Sequence, residues 1–193
     1  MDIAPKKLTI IICPGMHDTQ LTANFLARLW NNWRDLYKAG KIIIIPNNNY
    51  PVYSPIHIWD FLTKSGVKIS QELIFIAFSA GVVGGIGAAL IWQQMGGKVK
   101  AFIAVDGWGM ILAGNFPIHR ISHDYFTHWS SALLGGDGDS FYADREVDHL
   151  TLWTSPQTVK GWQIQKNPDN RDKKIYITAA EFILNLLNFY GKI

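Results

Sequence analysis

The sequence predicts a compact α/β protein in which helices cover both faces of a mostly parallel sheet. Short apolar segments that favour β-structure alternate with amphipathic segments that favour helices, as in chains built from strand–helix–strand units. The strand segments are continuously apolar rather than alternating, which is typical of strands buried on both faces. The length of 193 residues suits one domain with a substantial core. We therefore expect a single domain over residues 1–193.

The first two strands enclose a long predicted helix. The segment Leu8–Cys13 is an apolar run rich in isoleucine and predicts the first buried strand. Asp18 or Thr19 can cap a helix whose apolar residues recur on one face until Gly40 ends it. The segment Ile42–Ile45 predicts the second strand.

The middle of the chain continues the alternation of helix and strand. Ser54 caps, and Pro55 begins, a helix that ends at Gly66. The segment Glu72–Phe78 predicts the third strand, and a helix rich in small residues follows over Gly81–Met95. Consecutive buried strands joined by helices favour parallel pairing with right-handed crossovers.

The last part of the chain gives weaker patterns. The segment Lys100–Val105 predicts a fourth strand, whereas His119–His123 and Phe141–Ala143 predict only short strands. The polar region from Gly161 to Lys174 predicts a loop. The segment Thr178–Glu181 has the sequence of a capping box and predicts a final helix that Gly191 follows.

Composition narrows the class of protein. The net charge of +3 is modest and the basic residues are scattered, which disfavours a nucleic-acid-binding surface. The single cysteine, Cys13, excludes an intramolecular disulfide framework and a multi-cysteine metal site, and its apolar neighbours predict a buried structural thiol. The chain has no apolar segment of about 18 residues and no signal-peptide pattern, so we predict no integral membrane segment and a cytoplasmic location.

The most informative motif is Ala77-Phe78-Ser79-Ala80-Gly81. It lies where the third strand ends and a helix begins, and small residues stand two positions before and after Ser79. This arrangement is typical of a nucleophile elbow, in which a sharp turn exposes a serine and leaves no room for bulky neighbours. The alternative is that Ser79 only ends a strand and caps the next helix.

A nucleophilic serine requires a base and a carboxylate that orients the base. These groups are expected on loops at the carboxyl ends of the strands. Among six histidines, His149 comes last and follows the final predicted short strand. For the carboxylate, Asp124 follows one short predicted strand, with Asp106 and Asp144 as alternatives after two others.

The loop after the first strand can complete an oxyanion hole. In Cys13-Pro14-Gly15-Met16-His17, the glycine permits close backbone approach, so the backbone N–H of Met16 is one candidate donor. Ala80, which follows the candidate nucleophile at the start of its helix, supplies the other. A simple strand-to-helix turn is the alternative explanation of this loop.

Taken together, these motifs resemble the α/β-hydrolase family, and in particular small lipases and esterases. The order of strand, Pro-Gly loop, serine elbow, late aspartate and late histidine matches that family over most of the chain. The resemblance implies a compact α/β-hydrolase-like fold without a large cap domain. It also implies an acyl-enzyme on Ser79, with His149 as base, Asp124 as carboxylate and no metal or organic cofactor.

The substrate implied is a small-molecule carboxylic ester or thioester. The apolar, glycine-broken segment 107–116 is either a small lid or wall of an acyl pocket, or a loop folded onto the core. Trp108, Met110 and His17 are candidate pocket residues. Two other functions stay open, an acyltransferase with the same triad and a non-catalytic binding protein. The sequence fixes neither the acyl length nor the oligomeric state.

Overall fold

The computed structural model describes residues 7–48, 50–167, 169 and 171–191. Strands and helices alternate along most of this part of the chain. In chain order the elements are β1 Leu8–Cys13, α1 Thr19–Leu29, α2 Trp33–Lys38, β2 Ile42–Ile44, α3 Pro55–Lys64, β3 Glu72–Phe78, α4 Ala80–Gln94, β4 Lys98–Val105, β5 Ile118–Ser122, α5 Tyr125–Ala132, β6 Ser140–Ala143, α6 His149–Thr154, β7 Lys160–Gln165, β8 Lys173–Thr178 and α7 Ala179–Tyr190.

One sheet of eight strands holds these elements together, in the order β2-β1-β3-β4-β5-β6-β7-β8. Strands β1 to β6 pair in parallel, and only the β6–β7 and β7–β8 pairs are antiparallel. The prediction of an α/β protein with a mostly parallel sheet is therefore confirmed. The carboxyl ends of β3, β4 and β5 lie side by side, so the loops after them meet at one edge of the sheet.

Helices bury both faces of the sheet, as the continuously apolar strands predicted. Successive side chains of β3 point to opposite faces, so Ile76 packs in one core cluster and Phe75 in the other. The first cluster includes residues of α1, α6 and α7, and the second includes residues of α3 and α4. Cys13 is fully buried in the second cluster, and burial raises the pKa of its thiol, as expected for a structural cysteine.

The helix predicted from Asp18 to Gly40 is two helices. Asp18 caps α1 by accepting a hydrogen bond from the backbone N–H of Gln20, but Trp30 is extended and ends that helix. Asn32 then occupies the N-cap position of α2. Asparagine favours helix ends over helix interiors, which fits the position of Asn32, although its side chain makes no capping hydrogen bond.

The loop prediction for Gly161–Lys174 was wrong over half of its length, because seven of these 14 residues lie in strands. Strand β7 covers Lys160–Gln165, and β8 begins at Lys173 and pairs with it along six positions. Most of the polar residues that suggested a loop lie between β7 and β8, whereas Lys173 and Lys174 begin the edge strand β8, where exposed lysines protect the edge from pairing with other chains. The predicted capping box of α7 is confirmed, because Thr178 and Glu181 exchange both hydrogen bonds.

Among the described residues, no helix combines the length and the apolar character that crossing a bilayer requires. The cytoplasmic location stays a prediction.

Candidate active site

Ser79 occupies the turn between β3 and α4 in a left-handed backbone conformation, with φ 52° and ψ −123°. Its backbone N–H donates to the carbonyl oxygen of Val105 at 3.0 Å, which anchors the turn to β4. A non-glycine residue in such a region costs about 1–3 kcal/mol, and strain of this kind concentrates at functional sites. The sharp strand–turn–helix geometry expected of an elbow is therefore present at Ser79.

The small residues around Ser79 have a steric reason. A Cβ atom on Gly81 would lie 2.3 Å from the carbonyl oxygen of Cys13 and 2.4 Å from that of Pro14, so only glycine fits there. Ala77 stands where the common elbow pattern has glycine, and its methyl group faces Gly85 of α4. A Cβ on Gly85 would lie 3.3 Å from the Cβ of Ala77, so a glycine in α4 makes room for the alanine.

Asp106, which follows β4, is a second strained residue beside Ser79. It has φ 50°, and its backbone N–H donates to the carbonyl oxygen of Ile121 at 2.8 Å. Its side chain is 1% exposed. In the described part of the chain, Arg145 is the only other non-glycine residue with a left-handed φ. Two of the three such residues thus lie at adjacent carboxyl ends of the sheet.

The carboxylate that contacts His149 is Asp106, and the expectation that Asp124 would do so was wrong. His149 Nδ1 lies 2.8 Å from Asp106 Oδ2. Asp124 instead caps α5 by accepting the backbone N–H of Thr127, and its other oxygen faces His123. The N-cap role fixes Asp124 at the start of α5 and directs it away from His149. The other alternative, Asp144, is exposed and is absent from the lining of the cavity described below.

His149 is the first residue of α6 and lies flat against the residue that precedes the candidate nucleophile. Its ring stacks on Phe78, with centroids 4.5 Å apart and planes 24° apart. Since Nδ1 faces Asp106, Nε2 is the nitrogen left to accept a proton. Within the described residues Ser79 Oγ makes no hydrogen bond, so proton transfer requires the two side chains to approach each other when a substrate binds, as is common for unliganded sites.

His123, at the carboxyl end of β5, belongs to the same cluster and was missed as a site residue. Its Nδ1 lies 2.9 Å from Asp106 Oδ2, and its backbone N–H donates to Asp106 Oδ1 at 2.9 Å. Its Nε2 lies 3.1 Å from Asp124 Oδ2. Both ring nitrogens therefore face carboxylates, which leaves His149 as the histidine able to act as a base. The available signal was the position of His123 directly before a candidate acid.

The loop after β1 lies close against the elbow. A Cβ on Gly15 would come within 3.1 Å of the Cβ of Ser79, so the glycine permits this approach. Asn47, which follows β2, holds the loop by donating through Nδ2 to the carbonyl oxygens of Gly15 at 3.0 Å and His17 at 2.6 Å. Sequence reasoning missed Asn47, because asparagine in a loop is usually a turn residue.

The two candidate oxyanion donors are backbone groups at this junction. Ala80 is the first residue of α4, where backbone N–H groups have no partner within the helix. In the described part of the chain, no backbone hydrogen bond engages the N–H groups of Met16 or Ala80. Both groups are therefore available to an anionic oxygen.

A cavity of about 600 Å³ opens beside Ser79, within the size range of small-molecule sites. Most of its lining is apolar. It is bounded by Ser79, Ala80, Val83, Asp106, Gly107, Trp108, Met110, His123, Phe126, Thr127 and His149. Trp108 and Met110, the predicted pocket residues, both line this cavity. His17 does not, because it lines a different hollow together with Met16 and Asn47, and its ring packs edge-on against Phe78.

Two segments of the chain contribute to the wall of the cavity. Residues 107–117 and 125–136 contain no Asp, Glu, Lys or Arg. The buried guanidinium of Arg120 joins them, because it donates to the carbonyl oxygens of Met110 at 3.0 Å, Leu134 at 3.1 Å and Gly135 at 2.7 Å. Burial lowers the pKa of Arg120 to about 10. Arg120 therefore connects the segment after β4 with the turn that follows α5.

Asp106, His123 and His149 also form a group that can be considered for metal binding. Their candidate ligand atoms lie within 4.8 Å of one another. Each histidine Nδ1 already faces the same oxygen of Asp106 at hydrogen-bond distance. We therefore interpret the group as a hydrogen-bonded cluster.

Neither a scan against protein-family models nor a search of curated proteins found a match for this chain. The function must accordingly be argued from the geometry of the site.

Proposed function

We propose that this protein is a serine hydrolase that cleaves a carboxylic ester or thioester with an apolar acyl group. The observation that carries the proposal is the conformation of Ser79, a strained serine at the end of β3 that lines a cavity together with His149 and the buried Asp106, which contact each other. A serine that only ends a strand needs neither the strain nor these neighbours. The roles follow those of a serine, histidine and aspartate triad.

In the proposed reaction, Ser79 Oγ attacks the carbonyl carbon of the ester while His149 Nε2 accepts the hydroxyl proton. The protonated His149 then gives this proton to the leaving alcohol or thiol, and the acyl group stays on Ser79. Water attacks the acyl-enzyme in the same manner and releases the acid. Asp106 stabilises the imidazolium that forms in both steps and holds Nδ1 as the donor.

The negative charge on the carbonyl oxygen is stabilised by the backbone N–H groups of Met16 and Ala80. Ala80 lies at the N-terminus of α4, a helix of 15 residues whose dipole favours an anion there. Asn47 keeps the Met16 loop against the elbow. Preorganised donors of this kind contribute strongly to acyl transfer, because they need no reorganisation during the reaction.

The apolar lining of the cavity supports an apolar acyl group. Trp108, Met110, Val83 and Phe126 line it beside Ser79. Burial of each methylene contributes about 0.8 kcal/mol, so a chain of several carbons gains substantial affinity there. The two wall segments supply no Asp, Glu, Lys or Arg side chain to pair with a charged acyl group.

Labelling with a fluorophosphonate, followed by peptide mass mapping, tests the proposal. We expect a single adduct on Ser79, and we expect Ser79→Ala to lose both labelling and p-nitrophenyl ester hydrolysis while its circular dichroism is unchanged. Ser130→Ala is the matched control, since Ser130 Oγ binds the carbonyl oxygen of Phe126 on α5 and should not react. Labelling that persists in Ser79→Ala would overturn the assignment, and the absence of any labelling would favour a binding protein.

A further inference from the structure

The carboxylate of Asp106 has more hydrogen-bond partners than the aspartate of a simple triad needs. Asp106 Oδ1 accepts the backbone N–H of His123, and Oδ2 lies within 2.9 Å of Nδ1 on both His123 and His149. The side chain is almost completely buried, so water is a poor substitute for these donors. Two histidines therefore share one carboxylate oxygen, and only one of them has a free nitrogen.

We propose that His123 is a positioning residue for the serine-hydrolase reaction, with Asp124 fixing its ring. This inference rests on the proposed function. His123 holds both oxygens of Asp106, one through its backbone and one through Nδ1, in the orientation that directs Oδ2 at His149 Nδ1. The four side chains form the series Asp124, His123, Asp106 and His149, each within 3.1 Å of the next.

Asp124 holds the nitrogen of His123 that does not face Asp106. Burial alone would raise the pKa of Asp124, but hydrogen bonds from Thr127 and the proximity of His123 lower it, so Asp124 is an ionised acceptor. His123 Nε2 lies 3.1 Å from Asp124 Oδ2, and Nδ1 lies 2.9 Å from Asp106 Oδ2, so both ring nitrogens face a carboxylate oxygen at hydrogen-bond distance. A ring held at both nitrogens cannot rotate away from Asp106.

The position of Asp106 explains why such support is useful. It follows β4 with a left-handed φ, and its backbone N–H is held by β5, but no other side chain within the described residues donates to its carboxylate. Without the His123 side chain, only the backbone N–H of residue 123 and His149 would fix the carboxylate. The carboxylate could then rotate, and His149 would lose the orientation that proton transfer requires.

Three substitutions of His123 separate positioning from wall packing. In His123→Asn the amide nitrogen takes the place of Nδ1 and can still donate to Asp106. In His123→Gln it takes the place of Nε2 and reaches Asp124 instead, and His123→Ala removes both donors. We expect His123→Ala and His123→Gln to lower kcat about 10-fold to 100-fold, as for loss of a hydrogen bond to a charged group. We expect KM to change less than threefold, and His123→Asn to recover most of kcat.

Proton NMR gives a readout that does not depend on turnover. An imidazole N–H proton that is hydrogen-bonded to a carboxylate resonates far downfield. Labelling with 15N-histidine should therefore show one Nδ1–H signal for His149 and one for His123. His123→Ala should remove its own signal and shift or broaden that of His149, whereas His123→Asn should leave the latter near its original position. Fluorophosphonate labelling of Ser79 in the same variants tests the proposed function separately.

Two results would overturn the inference. One is a His123→Ala enzyme with the wild-type kcat, or with a changed KM alone, which would make His123 only part of the cavity wall. The other is His123→Asn with no more activity than His123→Gln, together with an unchanged His149 signal in all variants. If no variant, including the wild type, hydrolyses an ester, the proposed function fails while the NMR result still decides whether His123 orients Asp106.

Discussion

The two candidate carboxylates can be separated by matched substitutions, Asp106→Asn and Asp124→Asn. Asp106 Oδ2 lies 2.8 Å from His149 Nδ1, so at an effective dielectric constant of about 20 its charge stabilises the imidazolium by roughly 6 kcal/mol. His149 is 42% exposed, and solvent screening reduces this to about 4 kcal/mol. We therefore expect Asp106→Asn to lower kcat by about 1000-fold.

Asp124 acts on His149 only through His123 and Asp106, and asparagine can still cap α5. We expect Asp124→Asn to lower kcat by no more than about 10-fold. The assay is steady-state hydrolysis of a p-nitrophenyl ester, with circular dichroism and thermal unfolding to show that both variants fold. A larger loss in Asp124→Asn than in Asp106→Asn would refute the assignment of Asp106 and return the role to Asp124.

Two further predictions concern the acyl pocket and the pH dependence of stability. Met110 lines the cavity whereas Leu112 is 2% exposed in the core, so Met110→Ala should lower kcat/KM for long acyl chains by about fourfold per methylene of lost contact. Leu112→Ala should instead cost about 2–5 kcal/mol of unfolding free energy with the same chain-length preference, and the reverse pattern would contradict the cavity assignment. Burial, with the nearby Lys166, Lys174 and Arg120, lowers the pKa of His128 to about 4, so the unfolded chain binds this proton more readily. The stability should be full above about pH 6.5 and should fall by about 3 kcal/mol by pH 4. Denaturant unfolding of His128→Phe should show a smaller fall, and an equal fall would mean that another group is responsible.

The sequence predicted the parallel half of the fold well because its strands are buried on both faces and its helices begin at recognisable caps. It failed where tertiary pairing decides the structure. The polar strand β7 is stabilised by pairing with β6 and β8, which local composition does not reveal.

The site was predicted in the same uneven way. Ser79 could be recognised because a sharp turn demands small neighbours, and that demand is visible in five consecutive residues. The carboxylate partner of His149 could not be recognised from the sequence, because Asp106 and Asp124 both follow strands. The choice depends on which of them caps a helix. Asn47 contacts residues 30 and 32 positions away, and His123 contacts Asp106 17 positions away, so the only local signal for either residue was the position of His123 directly before Asp124.

The stacking of His149 on Phe78 extends further into the protein than the site itself. Phe78 stacks on Trp153 at 4.9 Å, and Trp153 stacks on Phe25 of α1 at 3.7 Å. The ring proposed as the base is thus the outermost member of a column of four aromatic rings that ends deep in the core. Because interiors of this kind are close-packed, a shortened side chain at Phe25 changes the support under His149 as well as the stability of the domain. Reduced turnover in a Phe25 variant would therefore reflect weaker packing beneath His149. It would not show that Phe25 takes part in the reaction.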